Sequence, residues 1–246
     1  MSIGSNIIFY EKVSSTNDVA TEMLKADTVA EGTIIYAGEQ LKGRGQRGNK
    51  WISEAGKNLI VSIILYPDFL EAEQQFIISK VISLSIAEFL DAYSDAISIK
   101  WPNDIYYKDD KIAGMLIENS LEGNTIRNCI IGAGININQV NFPPEIPNPI
   151  SLCMINKREY DIVPLLAEFC SICDLWYTRL KEGHLDYIDR KYRNRLYRLN
   201  IPGMFNTAKG NVRGRISGVD KFGRIKIETD HGNTVVYGFR EIDFTG

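Results

Sequence analysis

Histidine is nearly missing from this sequence: His184 and His231 are the only two in 246 residues. They stand far apart in unrelated contexts, so neither a histidine-based triad nor a histidine metal site has support. Cysteine is scarce too, at four residues. Cys170 and Cys173 form a C-x-x-C within PLLAEFCSICDLWYTRL, where Leu166, Phe169, Cys170, Cys173, Trp176 and Leu180 recur at helical spacing on one face. A zinc site would want two further ligands, so the pair reads as buried helix packing. Positive charge is not in excess: the net charge is -3, which argues against a nucleic acid held by bulk charge. No run approaches the ~18 to 20 apolar residues that cross a bilayer. Residues 1–9 lack the basic start and apolar stretch of a secretory signal. These absences predict a soluble cytoplasmic protein.

What is present suffices for one large core, since 44% of the residues are hydrophobic. Residues 6–10 are a short apolar run, followed by a helix in SSTNDVATEMLKA with Ser15 or Thr16 as its cap. Residues 33–39 and 58–65 (NLIVSIIL) read as strands, and residues 71–93 carry a broad helical stripe. Residues 41–50, rich in Gly and Arg with no apolar period, read as a loop. Three strand-like segments follow at 96–101, 111–119 and 124–137. The links at 108–110 and 121–123 are too short for a crossover helix, which makes these neighbours antiparallel. The expected fold class is therefore α+β, a mixed, largely antiparallel sheet backed by helices. After Pro-rich residues 141–149, two helices run to about residue 198. Beyond residue 200 short strands are punctuated by glycines, the texture of a small barrel of hairpins. This divides the chain into residues 1–197 and 198–246.

Four blocks carry chemistry. In Gly43-Arg44-Gly45-Gln46-Arg47-Gly48-Asn49-Lys50-Trp51, three glycines let backbone N–H groups approach a ligand, and two arginines can fork onto carboxylate or phosphate oxygens. Trp51 offers a flat face for a base. A charged surface loop would also fit this composition, and the spacing is not that of a Walker A loop. In Lys100-Trp101-Pro102-Asn103-Asp104, Pro102 ends the strand and leaves Asn103 and Asp104 at its tip, where a solvated turn is the plain alternative. The third block runs from Lys111 to Glu118, with Gly114 inside a strand hinting at close approach of a ligand. The fourth is Gly132-Ala133-Gly134-Ile135-Asn136-Ile137-Asn138, a glycine pair that packing alone could explain.

Taken together the blocks resemble the biotin protein ligase family, with GRGxRG, KWPND, KxAGxLxE and GxGIN in the family's order and Ser15-Thr16-Asn17 at the first helix. The resemblance covers nearly the whole chain. It implies a catalytic domain like those of class II aminoacyl-tRNA synthetases and biotin ligases over residues 1–197, and an SH3-like barrel over 198–246. It implies activation of biotin by ATP to biotinyl-5'-AMP with release of pyrophosphate, then transfer to a lysine of a biotin carboxyl carrier protein. ATP and biotin are substrates, with Mg²⁺ assisting at a position the sequence does not give. Carried over residue by residue, the family pattern has Ser15, Thr16, Asn17 and Gln40 bonding the biotin ring system, walled by Gly114, Leu116, Gly132 and Ile135. Arg44, Gly45 and Gln46 belong to the loop that closes over biotin and the adenylate. Lys111 contacts the biotin carboxylate and the α-phosphate. Trp51 and Asn136 match positions around adenine, Lys100, Asn103 and Asp104 match the catalytic strand end, and Arg44, Arg47, Lys100 and Asn103 belong with them to the ATP and adenylate site. The catalytic set is Arg44, Lys100, Asp104 and Lys111. Gln46 departs from the pattern, standing where many members carry Arg and removing one cation from the loop.

Two rivals remain to be weighed. A lipoate ligase would hold an aliphatic acid and has little use for Ser15, Thr16, Asn17 and Gln40. A DNA-binding repressor needs a helix-turn-helix, whereas here the catalytic pattern starts within the first twenty or so residues. Neither nucleic acid nor membrane is expected as a partner, and no repressor function. The sequence leaves open whether the chain forms a homodimer.

Overall fold

The computed structural model describes residues 2–26 and 28–245, with the side chains of Arg47 and Thr245 outside the described part. Its first sheet has seven strands in the order β1-β2-β3-β7-β6-β5-β4. In chain order these are β1 (Ile7–Val13), β2 (Ile34–Gln40), β3 (Leu59–Leu65), β4 (Ile97–Lys100), β5 (Asp104–Tyr107), β6 (Asp110–Glu122) and β7 (Thr125–Ile135). Helix α1 (Thr16–Ala26) connects β1 to β2, and that pair alone is parallel. Every other neighbour in the sheet is antiparallel, as short connections require. The mixed, largely antiparallel sheet is the one the sequence predicts.

β3 is buried at all seven positions because both faces of the sheet are covered. Ile34, Ile63 and Ile131 point into the main core, while Ile35, Ile64 and Ile130 pack beneath α1 with Ala20. On the main side lies α2 (Phe76–Asp91), followed by α3 (Leu152–Asn156), α4 (Ile162–Lys181) and α5 (Leu185–Asn194). α2 touches α4 and α5 as well as β4 and β5, so it is apolar on nearly every side. Phe89 of α2 meets Phe169 of α4 edge-on, with centroids 5.9 Å apart. Cys170 and Cys173 are buried on α4 as free thiols. Among the described residues no helix is long and apolar enough to cross a membrane.

Two local expectations need correction. The strands at 96–101 and 111–119 are not direct partners, because β5 lies between them and pairs with both. Only four residues long, it was hidden by the turn residues on either side. Asp104 is therefore the first residue of β5 rather than a loop tip. The helix expected over 71–93 is also shorter, with a 3-10 turn at Ala72–Gln74 preceding α2.

The second sheet holds β8 (Pro202–Thr207), β9 (Gly210–Val219), β10 (Ile225–Thr229), β11 (Thr234–Tyr237) and β12 (Ile242–Thr245), all antiparallel, in the order β11-β10-β9-β8-β12. Its apolar residues Phe205, Ile216, Ile225, Ile227 and Ile242 join the same buried cluster as the first sheet. Trp101, in the turn between β4 and β5, fastens the two together. Its indole N–H donates to the Gly223 carbonyl at 2.8 Å, and its ring meets Phe239 at 6.1 Å.

Candidate active site

A cleft of ≈ 320 Å³ opens where the start of α1, the end of β2, loop 41–51 and strands β3, β6 and β7 converge. The glycines of β7 form its floor. Gly132 lies so close to α1 that a Cβ there would fall 2.5 Å from Asn17 Oδ1, which only a hydrogen can avoid. Strand alternation then sends Ile135 the other way. It is fully buried in the main core and does not line the cleft, so its expected part in walling a ligand is not supported.

One end of the cleft is a network of buried polar groups. Gln40 Oε1 accepts from the Thr16 backbone N–H at 2.7 Å and lies 3.1 Å from the Thr16 hydroxyl. Ser62 Oγ sits 2.7 Å from Thr16 Oγ1 and 2.6 Å from Asn17 Oδ1. The Asn17 amide donates to Glu118 at 2.7 Å. Ser15 lines the cleft beside them. The Thr16 hydroxyl thus turns towards Gln40 and Ser62 rather than back to cap its own helix.

Loop 41–51 folds back on itself instead of being irregular. Arg44 and Lys50 pair as an antiparallel bridge, Gly45 N–H donates to Asn49 O at 2.7 Å, and Trp51 N–H donates to Gly43 O at 2.9 Å. This brings Gly45, Gln46 and Trp51 to the cleft. Gln46 Oε1 and the Trp51 indole N–H are buried without a hydrogen-bond partner among the described residues, which marks them as places for a ligand's polar atoms. Arg44 lines the cleft but points its guanidinium at carboxylates, 3.0 and 2.7 Å from the two oxygens of Glu118 and 3.1 Å from Asp18.

The other end is charged. The Lys111 ammonium lies 2.7 Å from Asp104 Oδ1 and 5.7 Å from the Trp51 ring centroid. Lys100 donates to the Tyr106 hydroxyl at 2.8 Å and stands 4.6 Å from the same ring's centroid. Asn103 lines the cleft while its amide donates to the Met115 carbonyl at 2.8 Å, which fixes the β4–β5 turn against β6. Gly114 and Leu116 complete the β6 wall. Asn136 is buried behind the cleft, its amide donating to Ile150 O at 3.0 Å, so it does not line the space expected for adenine. Arg47 was expected to face phosphate, but its side chain lies outside the described residues.

Several lining groups escaped the sequence reading. Ile242, Asp243 and Phe244 come from β12 of the second sheet and Phe239 from the turn before it, and nothing local in their sequence points to a cleft. Behind the lining, Ser62 is a lone hydroxyl in the apolar run LIVSIIL, and that isolation is its local signal.

Comparison with known proteins agrees with this arrangement. A family model described as Biotin/lipoate A/B protein ligase family matches residues 9–136. The chain is 27% identical over 240 residues to the bifunctional ligase/repressor BirA of Bacillus spizizenii, covering 96% of this chain and 73% of that protein. It is 26% identical over 234 residues to the biotin--[acetyl-CoA-carboxylase] ligase of Paracoccus denitrificans, covering 91% and 96% respectively. Among solved structures it is similar to the biotin protein ligase from Aquifex aeolicus in complex with biotin and ATP, with 28% identity, a TM-score of 0.81, and coverage of 98% of this chain and 99% of that one. The family match spans more than half of the chain, which therefore belongs to the biotin/lipoate A/B protein ligase family.

Proposed function

We propose that this chain joins biotin to ATP as biotinyl-5'-AMP and passes the biotinyl group to a lysine of a biotin carboxyl carrier protein. The observation that carries the reading is a single cleft with a buried polar network at one end and Lys111, Asp104 and Lys100 at the other. A ring with N–H and C=O groups suits the first end, and a carboxylate beside a phosphate suits the second. An aliphatic lipoyl ring would leave the Thr16, Asn17 and Gln40 groups without use. Support for such a carrier comes from the name of the Paracoccus relative, a biotin--[acetyl-CoA-carboxylase] ligase.

In the first half-reaction a biotin carboxylate oxygen attacks the α-phosphorus of ATP and pyrophosphate departs. Two unit charges ~4 Å apart at an effective dielectric of ~20 repel by about 4 kcal/mol. Lys111 and Lys100 line the charged end of the cleft, and Arg44 and Arg47 belong to loop 41–51. Arg44 reaches phosphate only by leaving Glu118 and Asp18. Among the described residues no group of three or more His, Cys, Asp or Glu side chains gathers to hold a metal. Mg²⁺ needs only one or two carboxylates beside the substrate's phosphates, and Asp104 is a carboxylate of the cleft that could take part.

In the second half-reaction the carrier's lysine amine attacks the acyl carbon and AMP leaves. No protein nucleophile is needed, since the carrier's amine is itself the nucleophile. Water must be kept from the mixed anhydride meanwhile. The folded loop 41–51 above the cleft, with Trp51 as its base, is suited to that role. A division at residues 1–197 and 198–246 would not separate this site, since Phe239 and Phe244 reach the cleft as well.

Incubation with biotin, ATP, Mg²⁺ and a biotin carrier domain, read by intact mass, tests the reading. A gain of one biotinyl group on the carrier is expected. A gain of a lipoyl group from lipoate with none from biotin would overturn it.

A further inference from the structure

Ser62 is fully buried in β3 between apolar neighbours, and a buried hydroxyl needs partners. It has two, Thr16 Oγ1 and Asn17 Oδ1, but only one hydrogen to give. Glu118, behind Asn17, decides where that hydrogen goes. Its carboxylate takes both terminal nitrogens of Arg44 and can only accept. The Asn17 amide must then turn Nδ2 to Glu118, which leaves Oδ1 facing Ser62 as an acceptor. Ser62 therefore donates to Asn17 and can only accept from Thr16.

The opposite end is fixed as firmly. Gln40 Oε1 is held by the Thr16 backbone N–H, which turns its Nε2 the other way, towards Gly43. The Thr16 hydroxyl hydrogen has Ser62 at 2.7 Å and Gln40 at 3.1 Å as acceptors. Either choice keeps the hydrogen inside the network. What Thr16 shows the cleft is lone pairs alone.

We propose that Ser62 and Glu118 are positioning residues that set the hydrogen-bond polarity of this end of the cleft, making Thr16 an acceptor that selects head groups presenting an N–H. The proposal rests on the biotin reading and assigns the determinant of its head-group choice. Neither residue lines the main cleft. A ureido ring meets the lone pairs of Thr16 with a donor. A ring of the same shape with oxygen in place of that N–H meets them with another lone pair, and is refused.

The test titrates the full chain, Ser62→Ala and Glu118→Gln with biotin and with the two cyclic carbamates in which one or other ureido N–H is replaced by oxygen. The unmodified chain should bind one carbamate on the order of tenfold more weakly than biotin. In Ser62→Ala the Thr16 hydrogen loses its nearer acceptor, and in Glu118→Gln the Asn17 amide can flip so that Ser62 donates to Thr16 instead. Either way Gln40 at 3.1 Å is the one internal acceptor left, and turning the hydrogen to the cleft costs less. Both should narrow that gap several-fold, and either suffices if the other folds poorly. Loss of affinity by one common factor for all three ligands would mean a merely structural role and overturn the proposal, as would an unchanged gap. Failure of the unmodified chain to bind biotin would remove the reading itself and the proposal with it.

Discussion

Trp51 lies against the backbone of Gly134 so closely that a Cβ built on the glycine would fall 2.4 Å from indole Cε2 and 2.6 Å from Nε1. The loop's aromatic base is thus seated in a notch that only a glycine leaves open. Gly134→Ala should push the indole outward, since Trp51 is on a loop and Gly134 is held on both sides in the sheet. Overpacking of this kind costs about 1 to 3 kcal/mol. Because the displaced ring borders the proposed nucleotide site, the KM for ATP should rise on the order of tenfold while the biotin Kd changes little. Steady-state kinetics with each substrate varied would check this, and equal effects on both would count against the Trp51 assignment.

Lys111 and Asp104 form a second testable pair. From the sequence alone, Lys111→Ala is expected to abolish adenylate formation and Asp104→Asn mainly to slow transfer. The 2.7 Å ion pair changes the second expectation, because Asp104 also holds the Lys111 ammonium in place. Asp104→Asn should now lower both half-reactions, each on the order of tenfold. Pyrophosphate release and carrier labelling, measured side by side, separate the cases. Normal pyrophosphate release in Asp104→Asn would show that the ion pair has no part in activation.

Stability should carry a signature from Glu31, far from the cleft. Burial raises the pKa of its carboxyl, but hydrogen bonds from Lys181, Tyr177 and the Tyr66 N–H outweigh that and leave it below the ordinary glutamate value. A carboxylate with a depressed pKa stabilises the fold above its unfolded pKa and ceases to do so as pH falls through the folded value. Glu31→Gln should therefore lower stability at pH 7 by about 1 kcal/mol, after allowing for solvent screening. The difference from the unmodified chain should shrink once the pH drops below about 4.3. Thermal melts across that range would check it, and a constant difference would contradict the assignment.

Much of this arrangement could be read from residue patterns, for definite reasons. Gly43, Gly132 and Gly134 sit at close approaches that admit no side chain, and Gly48 takes a positive φ in a turn, so glycine at these positions carries its meaning in the sequence. The antiparallel pairing of β6 and β7 followed from a link too short for a helix. Ile135 comes to the ligand wall only through the family pattern, and strand alternation from Gly132 turns its side chain into the main core instead. β5 was missed because four residues between turns carry too little periodicity to register. Asn136 is likewise placed near adenine by the family pattern alone, whereas its amide serves the chain segment at Ile150. The contribution of Phe239 and Phe244 was beyond local reading, since it depends on how Trp101 docks the second sheet.

The central claim is that one cleft binds biotin and ATP together and couples them before any carrier arrives. Isotope exchange between labelled pyrophosphate and ATP, in the absence of carrier protein, tests it most directly. Exchange should depend on biotin and disappear in Lys111→Ala. Exchange that proceeds equally well without biotin, or none with biotin present, would contradict the claim.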